Sequence, residues 1–237
     1  MSTLFIGDPH NQTHKLMDLV NEHKDKDIVI LGDFFDSFVN DTQDDIKEMA
    51  FCVRKLIVMP NVTLVWGNHD LHYAFRHLAC SGFREDKLDI IIQILGWEQW
   101  KHFKVLHKAE GYYCSHGGMH PTWFCNPTTN EFIGDEKAFR MIRDQFEGVK
   151  AGHEPPLFSA GMSCGGTQNV GGITWLRWWD FIPINGISQI VGHTPGNEIR
   201  GIRGNNSINL CVDVNSNCGN IVLDRKVFKC DSSFCLK

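Results

Sequence analysis

Leu64-Val65-Trp66-Gly67-Asn68-His69-Asp70 is an apolar run that stops at a glycine and passes without a spacer into an amide, an imidazole and a carboxylate. A buried strand delivers polar side chains to a sheet edge in this way, and open α/β sheets bind their ligands at that edge. Four further stretches repeat the pattern. Leu4-Phe5-Ile6-Gly7 leads into Asp8-Pro9-His10, and Ile28-Val29-Ile30-Leu31-Gly32 into Asp33-Phe34-Phe35-Asp36. Tyr112-Tyr113-Cys114-Ser115 leads into His116-Gly117-Gly118, and Ile190-Val191-Gly192 into His193-Thr194-Pro195. A lone histidine after a strand is more often solvated or hydrogen-bonded than a ligand, but five ends of one kind in one chain point to a shared site. Their donors are carboxylate oxygen, amide oxygen and imidazole nitrogen, a mixture that suits Mn, Fe or Zn in a catalytic centre. A structural zinc site draws instead on closely spaced cysteines.

Between these ends the period changes. Residues 12–23 set Leu16, Leu19, Val20 and His23 at helical spacing, and residues 42–59 form a second helical stretch. With strands at 3–6, 28–31 and 62–66, these segments predict a parallel sheet with right-handed crossovers. Asp8, Asp33 and Asn68 then end neighbouring strands at one edge. Helix is expected to continue over 71–80 and to recur over 135–146, whereas 88–95 fits either helix or strand. Val105-Leu106 and 112–115 read as an antiparallel pair about Glu110-Gly111. Residues 148–172 turn to Gly, Pro, Ser and Thr and read as a long mobile loop over the site. Short strands at 187–191, 208–212 and 220–224, with turns at Asn205-Asn206 and Cys218-Gly219, are expected to complete a second sheet packed on the first.

Length and composition set the bounds. At 237 residues and 42% hydrophobic, the chain can bury a substantial core as a single domain spanning 1–237. A net charge of −5 with interspersed signs argues against stable nucleic-acid binding, which needs clustered Lys and Arg. Nine cysteines form no Cys-x-x-Cys pair and fit a reduced compartment, with Cys230 and Cys235 near the C-terminus expected to be structural or incidental. The first residues lack a leader-like pattern, and no run reaches the roughly 18 apolar residues of a membrane span. The expected location is cytoplasmic, the host cytoplasm if the gene is viral.

In their order, Asp8-x-His10, Gly32-Asp33-x-x-Asp36, Gly67-Asn68-His69-Asp70, His116 and Gly192-His193 resemble the signature of the calcineurin-like metallophosphoesterases over roughly the first 195 residues. The resemblance implies two mixed β-sheets packed as a central sandwich flanked by helices, a four-layer α/β/β/α arrangement. It implies two divalent metal ions, with Asp8, His10 and Asp33 on the first and Asp33, Asn68, His116 and His193 on the second. His69 would be the general acid and Asp36 its orienting partner. Such a pair of ions, Mn in the first instance with Fe or Zn as alternatives, would hold a bridging hydroxide for in-line attack on phosphorus. The leaving oxygen then takes its proton from the acid.

Gly192-His193-Thr194-Pro195, Gly67-Asn68-His69-Asp70-Leu71-His72 and Trp175-Leu176-Arg177 look like the bacterial and phage phosphoprotein phosphatase branch, including the diadenosine tetraphosphatase type. In that branch the arginine of the Trp-x-Arg segment grips the substrate phosphate, as a planar guanidinium does well, so Arg177 is the candidate clamp. The bland alternative for Arg177 is a solvated cation among packed tryptophans. One departure is clear: the branch has Arg-Gly after the orienting Asp, and this chain has Ser37-Phe38. The expected substrate is a phosphomonoester, nucleotide, dinucleoside polyphosphate or phosphoprotein. A nuclease or cyclic-nucleotide phosphodiesterase on the same fold is the alternative, weakened because Pro195 replaces the second histidine of a Gly-His-x-His ending. A non-catalytic binding protein that kept the fold and lost the metals is a third reading, opposed by the complete ligand set.

Overall fold

The computed structural model describes residues 2–215 and 218–224. Cys230 and Cys235 therefore lie outside the described residues. The chain builds two β-sheets that face each other.

The first sheet takes β1 (Ser2–Ile6), β2 (Asp27–Ile30) and β3 (Val62–Leu64), all parallel, in the order β3-β2-β1, with β9 (Asn220–Asp224) added antiparallel to β1. Its crossovers are α1 (Thr13–Glu22) and α2 (Gln43–Ile57). Side chains alternate across a strand, and the core follows that period. Leu4, Ile6, Ile28 and Ile30 face Leu16, Val20, Met49, Val53 and Leu56 of the helices. Phe5, Val29 and Leu31 face the second sheet. Because both faces are covered, the strands read as continuous apolar runs. Thr42 starts α2 with a capping box: its Oγ1 accepts from Asp45 N–H at 3.2 Å, and Asp45 Oδ2 accepts from Thr42 N–H at 2.9 Å.

After β3 come α3 (Asn68–Ala74), α4 (Glu85–Ile94) and α5 (Trp97–Trp100). Helix does not run through to Cys80 as expected: α3 ends at Ala74 and a 3₁₀ turn covers Arg76–Leu78. The open choice at 88–95 resolves as helix.

The second sheet has the order β4-β5-β6-β8-β7, from β4 (His107–Ala109), β5 (Tyr112–Cys114), β6 (Gln189–Val191), β7 (Arg200–Gly204) and β8 (Ser207–Cys211). The hairpin ladder lies two residues later than Val105-Leu106. The two-residue turn Glu110-Gly111, both at positive φ, sets Ala109 opposite Tyr112 and counts the register from there. Two further expectations need correction. Residues 220–224 pair with β1 and belong to the first sheet, where they cover an edge that would otherwise stay open. Strand β7 was not expected, and its turn to β8 is the foreseen Asn205-Asn206, with Asn206 at φ +53.

Tyr112, Cys114, Ile190, Leu210 and Val212 of the second sheet meet Phe5, Val29, Leu31 and Val65 in the inter-sheet core. The far face of this sheet is packed by Leu176 and Phe181 against Val191 and Cys211. α6 (Pro121–Phe124) and α7 (Asp135–Lys150) are the remaining α-helices among the described residues. The stretch after α7 is better anchored than its composition suggests, since Leu157 and Phe158 are fully buried and Met162 N–H donates to Gln168 C=O at 2.7 Å. No described helix is long and apolar enough to cross a membrane, and the seven described cysteines are all free.

Candidate metal centre

All five predicted strand ends converge. Asp8 and His10 follow β1, Asp33 and Asp36 follow β2, and Asn68 and His69 open α3 just after β3. His116 follows β5 and His193 follows β6. The chain turns sharply at this edge: His10, Asp33, Asp36 and His193 have φ of +40, +55, +64 and +65. Non-glycine residues visit the left-handed region rarely and at a cost, and such strain collects at functional sites. Two glycines allow the close approach. A Cβ on Gly67 would lie 2.1 Å from Asp33 Oδ1, and one on Gly192 would lie 2.1 Å from Asp8 Oδ1.

Backbone groups aim the carboxylates. Asp8 Oδ2 accepts from His193 N–H at 2.9 Å, and Asp33 Oδ1 accepts from His69 N–H at 2.9 Å. Asp70, named in the sequence pattern without a role, is a brace: its fully buried carboxylate accepts from the N–H groups of Asp33, Phe34 and Gly67 at 2.8, 2.9 and 3.0 Å.

The imidazoles are set for ligation. His10 Nδ1 lies 2.6 Å from Asp36 C=O, and His116 Nδ1 lies 2.7 Å from Leu31 C=O. A carbonyl only accepts, so Nδ1 carries the hydrogen and Nε2 faces the carboxylates, the tautomer of metal-binding histidines. His10 Nε2 is 4.0 Å from Asp8 Oδ2 and 3.8 Å from Asp33 Oδ2. His116 Nε2 is 3.1 Å from both Asp33 Oδ2 and Asn68 Oδ1. Two donor triads result, Asp8-His10-Asp33 and Asp33-His116-His193, each with its atoms within 4.8 Å of one another. Asp33 belongs to both. A third triad, His69-His72-Cys80, lies beside them and was not foreseen from sequence.

The electrostatics fit divalent cations. Asp8, Asp33, Asp70 and Asp213 are all buried, and burying several carboxylates together is costly without counter-charge. Burial, then Asp213, pushes the Asp8 carboxyl well up. Burial, then Asp33, pushes Asp70 up to about 7. Burial opposes charge on His116, but Asp33 and Asp8 outweigh it and raise the imidazole to about 10. Oxygen and nitrogen donors in this number suit a hard or borderline divalent ion.

Beside the triads His69 Nδ1 is 2.9 Å from Asp36 Oδ2. Burial raises the Asp36 carboxyl, yet the hydrogen bond from His69 and the close His72 imidazole hold it far below the usual carboxylate range. Burial also opposes a proton on His69, and Asp33 and Asp36 more than offset it, so its pKa is raised. Both side chains border a cleft of about 630 Å³ that also reaches His10, Asp33, Asn68 and His193. Arg177 lines the same cleft. Its Nε donates to Cys164 Sγ at 2.9 Å and its Nη1 to His193 C=O at 3.1 Å, while no carboxylate pairs with it among the described residues. Ser37, where the resemblance leads one to expect arginine, instead closes a turn by accepting from Val39 and Asn40 N–H. The neighbouring Phe38 is fully exposed. Arg84, also on the cleft wall, is already bound by Asp86 through Nε and Nη2 and by Asp41 through Nη1.

Sequence reasoning missed His72, Tyr73, Lys87, Cys164 and Asp213 at this site. Asp213 had a signal, because Leu210-Cys211-Val212 runs into it as the other strands run into their ends. The others come from helices and loops whose placement only the tertiary fold supplies.

The family model described as calcineurin-like phosphoesterase matches residues 1–197. Among solved structures, a cold-active protein-tyrosine phosphatase of a psychrophilic Shewanella species is 19% identical with a TM-score of 0.57, over 94% of this chain and 75% of that one. A putative diadenosine tetraphosphatase is 16% identical with a TM-score of 0.51, over 94% of this chain and 89% of that one. At such identities the likeness concerns the fold. No curated protein matches the chain in sequence.

Proposed function

The chain belongs to the calcineurin-like phosphoesterase family and is a metal-dependent phosphoric ester hydrolase; on that premise we propose that it uses a dinuclear centre to hydrolyse a phosphomonoester, nucleotide or dinucleoside polyphosphate. The observation that carries the reading is Asp33, shared by two donor triads at the floor of one cleft. Asp8, His10 and Asp33 would hold one ion, and Asp33, Asn68, His116 and His193 the other, with Mn the first choice. Two divalent ions there would supply Lewis-acid neutralisation of the phosphate oxygens and an acidified water.

The chain's own residues do the rest. Arg177 reaches the substrate phosphate and orients it, its own position fixed by Cys164 and the His193 carbonyl. His69, whose Nδ1 is held by Asp36, presents Nε2 to the leaving oxygen and gives it a proton. With His69 inclined to keep its proton and Asp36 to stay ionised, the pair stands in the state an acid needs. Leu176 is buried beneath this segment, and the centre of the exposed Trp179 ring lies 5.5 Å from the Arg177 guanidinium carbon. The cytoplasm, whose reducing conditions suit seven free cysteines, is the proposed compartment.

The solved neighbours name the substrates to assay first: a tyrosine-phosphorylated peptide and a dinucleoside polyphosphate. Set beside a cyclic nucleotide and single-stranded DNA, all with Mn, they form the test. Turnover of a monoester or polyphosphate supports the proposal. Preferential turnover of the cyclic nucleotide or DNA would replace it with the phosphodiesterase alternative, against which Pro195 speaks.

A further inference from the structure

We propose that Lys87 is a positioning residue for this reaction: its buried ammonium holds the Asp36 carboxylate in the orientation that fixes the His69 ring. The inference rests on the reading of His69 as the acid.

Lys87 lies in α4 one turn before Ile91, on the face that enters the core, and is 2% exposed. A lysine so placed is costly unless its charge is met. Here Nζ is 2.7 Å from Asp36 Oδ1, 2.8 Å from Asp41 Oδ1 and 3.2 Å from Gly82 C=O. Of these contacts, Asp36 Oδ1 and Gly82 C=O accept hydrogen bonds, and Asp41 Oδ1 meets the charge as an ion pair without hydrogen-bond alignment. Although Lys87 borders the cleft, two carboxylates of the protein already pair its charge. Its charge therefore acts on the protein.

What it acts on is Asp36. Oδ2 receives His69 Nδ1 at 2.9 Å, and His72 Nε2 stands 2.8 Å from the same oxygen without the alignment of a hydrogen bond. Two imidazoles thus compete for one oxygen, and a small rotation of the carboxylate would favour the wrong one. Oδ1 resists that rotation through Tyr73 OH at 2.6 Å and Lys87 Nζ at 2.7 Å. Lys87 also ties Asp36 to Asp41, clipping together the ends of a loop that starts at positive φ. Without the lysine, Oδ1 keeps only the phenol, and His69 loses its fixed ring.

The test measures kcat/KM for an alkyl phosphate and a nitrophenyl phosphate in the wild type, Lys87→Met, Lys87→Arg, His69→Asn, Asp36→Asn and the Asp36→Asn/Lys87→Met double variant. The alkyl-to-aryl ratio in one preparation cancels any difference in folded fraction. Lys87→Met should lower that ratio about ten-fold, a part of the roughly 10²–10⁴-fold that general acid catalysis supplies, and Lys87→Arg should restore most of it. The double variant leaves no unpaired buried charge and keeps the measurement available if Lys87→Met does not fold. It should match Asp36→Asn alone, because Lys87 acts only through that carboxylate. An unchanged ratio in Lys87→Met, a rise in KM alone, or a double variant worse than Asp36→Asn would overturn the proposal while the acid assignment stands. An unchanged ratio in His69→Asn would overturn both.

Discussion

Asp33 Oδ2 and His116 Nε2 stand 3.1 Å apart, although Asp33 follows a strand of the first sheet and His116 a strand of the second. The contact joins the two sheets at the edge where the donors collect, and a metal shared by these residues has to enter between them.

That relationship makes metal binding dependent on protons. Burial lowers the His116 pKa, but Asp33 and Asp8 raise it further, to about 10, so the metal-free imidazole is protonated at neutral pH. A ligand binds only when deprotonated. Affinity should therefore climb as pH rises toward that value, and proton release should accompany binding. Calorimetric titration of Mn in two buffers of different ionisation enthalpy measures the release, and identical heats in both would contradict it.

Gly192 lets Asp8 approach, since a Cβ there would sit 2.1 Å from Asp8 Oδ1. Gly192→Ala should push the carboxylate off the His193 N–H and lower metal affinity at least about ten-fold, with an overpacking cost of roughly 1–3 kcal/mol in the folded protein. Elemental analysis after gel filtration at fixed free metal checks this. Wild-type metal content would show that Asp8 has slack the structure does not suggest.

The strand ends were legible from sequence because each combines an apolar run, a glycine or serine and a donor residue within a few positions. What stayed hidden has physical causes. Strand β7, Arg200-Gly201-Ile202-Arg203-Gly204, is a half-exposed edge and carries no apolar run to announce it. The pairing of β9 with β1 depends on how the chain closes, which no local pattern encodes. Lys87 reads as an ordinary surface lysine until α4 is docked. The stretch after α7 looks mobile by composition, yet a few residues such as Leu157 and Phe158 pin it.

Arg177 separates a clamp from a packing cation. Its loss to alanine removes a charged hydrogen bond worth about 1.5–3 kcal/mol, so kcat/KM should fall roughly 10- to 100-fold while the melting temperature changes little. Cys164→Ala, which removes the acceptor for Nε, should show a smaller fall of the same kind. A large drop in melting temperature with unchanged kinetics of the surviving enzyme would return Arg177 to a structural role.

The central claim is that Asp33 serves two metal ions, and Asp33→Asn tests it most directly. The substitution keeps the size of the side chain and removes the charge common to both triads. Metal content by elemental analysis, measured beside hydrolysis of a phosphomonoester after chelation and return of Mn, should give about two ions per wild-type chain with activity restored. The variant should bind well below two and remain inactive. An Asp33→Asn protein that retains two ions per chain and a near-normal rate would contradict the account.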